Sequence, residues 1–494
     1  MTNEFITVPE GPDTQDGFFR FSQGISYTDR VEEEHAPFSF AETGPPTETD
    51  LLPDEEMDSI LRNKRFTNAN EYDVAVIGGG PAGYTAAIRA SKLGAKTLLF
   101  EKEMLGGLAS GNSVIVNIRK TLAHNDIVAT SLTANLARLL RSYRVRVEAG
   151  EASLKNAREI VCRGKTYSAS KVILCGGTET VRPDIPGMTH HGVWTIGDVF
   201  KAKETPSRLM VFGGGSAGCE TAIAFAVAGS SVMLVEPGPQ LLPGMDTQLA
   251  EAVRGALAKA GVKIYTGISV KEIVDRDGYP FIITERGGVL CDKFLLAAKR
   301  MLDMTQLGSL AKDIAVRSGA IVVNEYLETS IPGIYAAGGC AGLGSQAHVA
   351  YRMGETAAEN AMGRHKVIDL RAVPVTVYTM PGAASVGLSE AEAFERYGND
   401  VVVGTSLFSN NMRAILSGKT EGFVKVLAGR KHGEIYGVHI YGEEAVEMIA
   451  EAAALIRMEV TVHEVCGDII HAHPTYMEAF AEACKEALNR GVGE

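Results

Sequence analysis

The chain has little cysteine: seven in 494 residues, at positions 162, 175, 219, 291, 340, 466 and 484. They form no CxxC and no regular framework. That excludes a disulfide scaffold and a Cys-rich zinc site, and it fits a reducing cytoplasm. Long apolar runs are absent, each being broken by Gly or charge, so no membrane-spanning helix is expected. The opening residues, MTNEFITVPEGPDTQD, lack the basic and apolar regions of a secretory signal. Basic charge is in deficit, at net −12, which excludes a nucleic-acid footprint. HExxH and Walker A motifs are missing, and no His cluster has metal-ligand spacing; His190-His191 reads as a surface pair. No metal is expected.

What is present is ordinary for a packed globular protein: 45% hydrophobic and 22% charged residues, with length for two to four domains of about 100–200 residues each. The acidity is local. Residues 1–70 carry 15 acidic and 5 basic side chains, so the remainder is nearly neutral. This extension has six Pro and two aromatic clusters, Phe18-Phe19-Arg20-Phe21 and Phe38-Ser39-Phe40. Two readings stand: a solvated, partly disordered leader, or an arm that docks its aromatics on the body or a partner.

From Glu71 the pattern turns α/β. Tyr72–Ile77 reads as a buried strand, Gly78-x-Gly80-x-x-Gly83 as the turn into a helix from Pro81, and Lys96–Phe100 as the next strand, ending at Glu101. The unit recurs as strand Arg208–Phe212, Gly213-x-Gly215-x-x-Gly218, a helix to about Val227, and strand Ser231–Val235 ending at Glu236. In both units the acid stands eighteen residues after the last Gly. The first Gly makes a tight turn, the second lets backbone approach a pyrophosphate, and the third packs helix on strand. The helix N-terminus supplies free N–H groups and positive potential, and the acid accepts from a ribose diol. Two such units mean two dinucleotides, most simply FAD and NAD. Pro237-Gly238-Pro239 supplies no Arg for a 2′-phosphate, so Glu236 points to NAD over NADP. Residues from about 370 onward read as a separate α+β domain.

From about residue 71 the chain resembles the flavoprotein disulfide reductases, the family of dihydrolipoamide dehydrogenase, glutathione reductase and mercuric reductase. The resemblance rests on several segments: Val76-Ile77-Gly78-Gly79-Gly80-Pro81-Ala82-Gly83, and Leu174-Cys175-Gly176-Gly177 where the family has Ala-Thr-Gly-Ser. Further on come Leu242-Pro243-Gly244-Met245-Asp246, and Ile334-Tyr335-Ala336-Ala337-Gly338 leading into Ala347-His348-Val349-Ala350. The most specific is His471-Ala472-His473-Pro474-Thr475, close to a signature of the lipoamide branch. The resemblance implies an α/β chain with two Rossmann-like domains and a C-terminal α+β dimerisation domain, in a homodimer. The implied boundaries are an acidic extension over 1–70, an FAD domain over 71–195 and 325–368, an NAD domain over 196–324, and an interface domain over 369–494. It further implies FAD contacts at Gly78, Gly80, Pro81, Ala82, Gly83, Glu101, Lys102, Gly106, Gly107, Gly176, Gly338 and Ala347. NAD(H) contacts fall on Gly213, Gly215, Gly218 and Glu236, with Glu220 beside the flavin. His473 is the implied acid/base, which in the family reaches across the dimer to the disulfide with Glu478 fixing its tautomer; the alternative is a structural remnant that shapes the turn before the last helix.

Three departures shape the functional expectation. The family's Cys-x4-Cys redox pair falls on Ala109 and Val114, and no Cys occurs between Met1 and Val161. The family's following Lys falls on Ile118, or on Lys120 with an insertion; Arg119 or Lys120 could replace it. The Gly-Asp of the flavin ribityl site reads Gly338-Gly339, and Gly-Arg-x-Pro-Asn reads Lys299-Arg300-Met301-Leu302-Asp303. Disulfide exchange needs an attacking and a resolving thiol. The expectation is therefore a cytoplasmic FAD-dependent NADH oxidoreductase that passes electrons directly to a small-molecule or protein acceptor. The alternatives are non-standard flavin chemistry on a small metabolite, or a catalytically faded scaffold recruited through residues 1–70.

Overall fold

The computed structural model describes residues 70–107, 131–202, 204–298, 300–344 and 346–491. The extension up to residue 69 and the segment holding Ala109, Val114, Ile118, Arg119 and Lys120 lie outside them, as does Lys299. Residues Lys64–Glu494 form one compact unit.

Its first sheet is built on β1 (Glu71–Ile77), a strand buried along its last four residues. The spatial order is β3-β2-β1-β6-β5-β4, with β2 Thr97–Glu101, β3 Arg146–Ala149, β4 Ala152–Leu154, β5 Glu159–Cys162 and β6 Lys165–Leu174. A seventh strand, β19 (Ile334–Ala336), runs parallel to β6. The parallel core comprises β1, β2, β3, β6 and β19, while β4, β5 and β6 form an antiparallel meander. Helix α1 (Pro81–Lys92) follows β1. A helix over 131–142, α2, precedes β3.

The second sheet repeats the plan in parallel order β11-β10-β9-β15-β8. Its strands are β8 Val193–Thr195, β9 Arg208–Phe212, β10 Ser231–Glu236, β11 Lys263–Thr266 and β15 Lys293–Leu296. Helix α3 (Ser216–Val227) joins β9 to β10, and α4 (Thr247–Lys259) leads to β11. An antiparallel trio intervenes: β12 Val270–Arg276, β13 Tyr279–Thr284 and β14 Gly287–Leu290. The chain crosses back through β7 (Thr178–Thr180) paired with β16 (Arg300–Leu302), then the short pair β17 (Val316–Arg317) and β18 (Ala320–Ile321). Helix α5 (Ala347–Ala361) then packs on α1.

The boundaries at 195 and 324 do not follow this packing. β8 completes the second sheet, and Ile185 and Met188 pack against that domain's core. Leu302, Leu307, Ile314 and Ile321 belong to the core of the first sheet. The alternating pattern does not reveal this, because a strand joins a sheet through partners distant in sequence.

The last domain is an antiparallel sheet, β20-β21-β24-β23-β22, made of β20 Val375–Val377, β21 Gly382–Gly387, β22 Val401–Leu407, β23 Phe423–Gly429 and β24 Ile435–Gly442. Helices α6 (Ala445–Arg457) and α7 (Glu478–Asn489) cover it. Among the described residues no helix is long and apolar enough to cross a membrane.

Candidate functional site

The two glycine turns are near copies. Gly78 has φ +103°, and a Cβ there would stand 2.4 Å from the Cys175 carbonyl oxygen; one on Gly83 would stand 1.7 Å from the Gly78 oxygen. Only glycine permits that approach. Gly213 (φ +113°) and Gly218 repeat it, at 2.4 Å from Ala297 O and 1.9 Å from Gly213 O. The middle glycines differ: a Cβ on Gly80 or Gly215 meets nothing within 4 Å. Among the described residues the space over each middle glycine is open, as a diphosphate needs. Gly80 and Gly215 are also the helix N-caps, with no side-chain cap and no acid in the first turn. The first-turn N–H groups therefore stay available to an anion. The donor set fits two dinucleotides.

Each turn is locked by its acid in the same way. Gly79 N–H donates to Glu101 Oε2 at 2.6 Å, and Glu103 N–H to Oε1 at 2.7 Å. Gly214 N–H donates to Glu236 Oε2 and Gly238 N–H to Oε1, both at 2.6 Å. Two backbone donors hold each carboxylate in one orientation, and the remaining lone pairs can accept from ribose hydroxyls.

Gly106, Gly107, Gly176 and Gly338 stand against the first turn and its helix. Gly106 N–H donates to Gly79 O at 2.9 Å, and a Cβ on Gly107 would lie 3.2 Å from Gly80 Cα. Gly338 abuts Ala82, since a Cβ there would stand 3.0 Å from the alanine Cβ. Ala347 opens α5, whose N-cap, Gln346, makes no side-chain cap bond. Gly176 N–H donates to Gln306 Oε1 at 3.1 Å. Gln306 is a buried amide the motif reading missed, and no local pattern marks it. Lys102 sits differently: its Nζ bonds Asp303 at 2.9 Å and Glu179 at 3.2 Å and lies 3.6 Å from Glu151. Burial opposes its charge, but those carboxylates outweigh it and hold the pKa above the usual lysine value. Its part is to tie β2 to β7.

Glu220, on the buried side of α3, accepts from Tyr378 N–H at 3.0 Å. Burial pushes its pKa up to about 7, against the opposing effect of that bond. His473 Nδ1 pairs with Glu478 Oε1 at 2.8 Å, while Thr475 N–H donates to Glu478 Oε2 at 2.9 Å. The carboxylate can only accept, so Nδ1 is the donor in this bond and Nε2 is left for another partner. That histidine is 65% exposed and bonds to neither glycine turn of its own chain. His471 is held by Glu451 at 2.9 Å.

His190, His191 and Asp275 come together as a possible metal donor set. Both His190 nitrogens are already engaged, Nδ1 by Gly192 N–H at 2.9 Å and Nε2 by Asp275 at 2.7 Å. The group works as a latch between β8 and β12. All seven cysteines are free thiols, and only Cys466 is exposed. Burial drives the Cys340 thiol up to about 11 and the Cys291 thiol to about 12.

Comparison with known proteins agrees with this architecture. Residues 72–354 match the family described as pyridine nucleotide-disulphide oxidoreductase, and residues 373–484 its dimerisation domain. A dihydrolipoyl dehydrogenase of Thermus scotoductus is 36% identical over 456 residues, spanning 85% of this chain and 98% of the relative. One from Bacillus subtilis is 30% identical over 463 residues, spanning 85% and 99%. Among solved structures, the Cu(II) complex of the HOCl-induced flavoprotein disulfide reductase RclA from Escherichia coli superposes with a TM-score of 0.79. It is 25% identical, over 84% of this chain and 99% of that one.

Proposed function

The chain belongs to the pyridine nucleotide-disulphide oxidoreductase family, whose members use FAD and NAD(H), and we propose that it moves electrons from NADH through FAD directly to a non-disulfide acceptor. One observation carries this reading: no Cys exists between Met1 and Val161, where the family's redox pair falls. The remaining cysteines support it, since six are buried and all seven are unpaired. A buried thiol with a raised pKa is a poor nucleophile.

When bound, NADH supplies a hydride and FAD accepts it as a two-electron carrier. The chain's own residues bind and orient. Gly80 and Gly215 leave room for the diphosphates, and the first turns of α1 and α3 present N–H groups to them. Glu101 and Glu236 accept from the ribose hydroxyls. Glu220, with its pKa near neutrality, can hold or release a proton beside the flavin. His473, oriented through Nδ1 by Glu478, can take a proton from solvent at Nε2 and deliver it to an acceptor that gains electrons beside the partner subunit's flavin. The dimer is supported by the dimerisation domain and by its uncovered apolar side chains: Leu416 is 66% exposed, Met458 72% and Ile470 97%.

The test is an anaerobic NADH titration followed in the visible. The flavin bands are expected to bleach without a long-wavelength thiolate–flavin charge-transfer band. Dye or quinone acceptors are expected to reoxidise the protein, whereas lipoamide and glutathione disulfide leave it reduced. Turnover of either disulfide overturns the direct-transfer reading. Flavin that ignores NADH overturns the oxidoreductase reading itself.

A further inference from the structure

The family's acid at position 339 is a glycine in this chain, and the surroundings show what stands in its place. Gly339 does not have positive φ, so its backbone would accept a side chain. A Cβ built there would lie 3.3 Å from Thr178 Cγ2 and 3.4 Å from Thr178 Oγ1, nearer than to any other described residue beyond its chain neighbours. Thr178 opens β7. Its backbone is fixed by pairing with Leu302 on β16, and its carbonyl accepts from the Arg300 guanidinium. Thr178 is half-buried, and its hydroxyl makes no hydrogen bond to any described residue. A positioned hydroxyl therefore borders the space an acidic side chain at 339 would enter. The neighbouring surfaces belong to the first dinucleotide site, because Gly338 abuts Ala82 of α1.

We propose that the Thr178 hydroxyl takes over, toward the hydroxylated ribityl chain of FAD, the hydrogen-bonding role of the missing acid. This rests on the FAD-binding reading above. A hydroxyl both donates and accepts, so it can pair with a sugar-alcohol group in either sense. A threonine kept only for its strand propensity would be replaceable by valine, which has the same shape and a similar preference for strands.

The experiment titrates FAD into apoprotein and reads flavin fluorescence, with ADP, which lacks the ribityl chain, as a second probe. T178V is expected to weaken FAD about five- to tenfold, the size of one hydrogen bond. T178S stays near wild type, and ADP affinity is unchanged by either. G339D tightens FAD and shrinks the effect of T178V when the two are combined. T178A, which also lacks the hydroxyl, gives the same reading should T178V disturb the β7–β16 pair, and circular dichroism reports folding. Unchanged FAD affinity in folded T178V or T178A overturns the proposal while leaving the functional reading intact. Equal weakening of FAD and ADP overturns it too, since the ribityl chain would not be the group contacted. A wild-type apoprotein that takes up no FAD overturns both.

Discussion

At the scale of single residues, the two acids at the ends of β2 and β10 do the same physical work. Each takes two backbone N–H bonds, so each turn is preorganised before a ribose arrives. Glu236→Ala removes the ribose acceptor and strands the N–H groups of Gly214 and Gly238. The expected result is a rise of about tenfold or more in the KM for NADH with flavin content unchanged, measured by steady-state kinetics beside the visible spectrum. Glu220 is the opposite case, a carboxyl whose burial raises its pKa to about 7. A raised folded-state pKa means that the native chain holds the proton more tightly than the unfolded one. The stability this gives is fully present below the unfolded value of about 4.5 and is lost as pH rises through 7. Glu220→Gln should abolish that loss. Between pH 5 and pH 8 the wild type is expected to lose on the order of 3 kcal/mol relative to the variant, read from denaturant midpoints at the two pH values.

At the scale of elements, the first site depends on how closely α5 approaches α1. A Cβ on Gly354 would stand 2.2 Å from the Ala82 carbonyl oxygen, so a glycine in mid-helix is required for the contact. Gly354→Ala must push the helices apart, and overpacking of this kind costs about 1–3 kcal/mol. Because Ala82 lies in the first turn of the fingerprint helix, FAD content is expected to fall together with the melting temperature. A variant that keeps its flavin and melts with the wild type contradicts this account. Both βαβ units were legible in the sequence to within a residue or two, as β1 at Glu71–Ile77 and β9 at Arg208–Phe212 show. Their signal is local: a buried apolar run, a glycine turn and a helix start. The short strands β4 and β5 and the part-exposed trio β12–β14 gave no such signal, because no glycine turn leading into a helix follows them to mark the unit.

At the scale of the whole molecule, the second dinucleotide domain is joined to the interface domain by a buried ion pair. Lys425 Nζ lies 2.8 and 3.0 Å from the two oxygens of Asp246, the N-cap of α4, and it also bonds Glu390. Both side chains of the central pair are almost wholly buried. His439 lies alongside, and burial holds its pKa down to about 4, so it adds no competing charge near neutrality. Removing one partner leaves the other charged and desolvated. Lys425→Ala is therefore expected to cost about 3–5 kcal/mol, measured by chemical denaturation. Burial raises the Asp246 pKa, but His439 and Lys425 lower it further and the net direction is down. The pair's stabilisation is then present above the ordinary aspartate range and is lost as pH falls through the depressed value.

What the sequence alone determined is whatever depends on neighbours in the chain. The glycine spacings, the two acids eighteen residues after them and the absence of Cys before Cys162 are all of this kind. Close backbone approach and thiol chemistry each demand particular residue types at particular positions. The tertiary structure alone decided what depends on distant partners. It placed Lys102 among three carboxylates, Gln306 against Gly176, Thr178 beside Gly339 and Lys425 on Asp246. These pairs are separated by tens to hundreds of residues, and their geometry is set by how sheets and helices pack rather than by any local pattern.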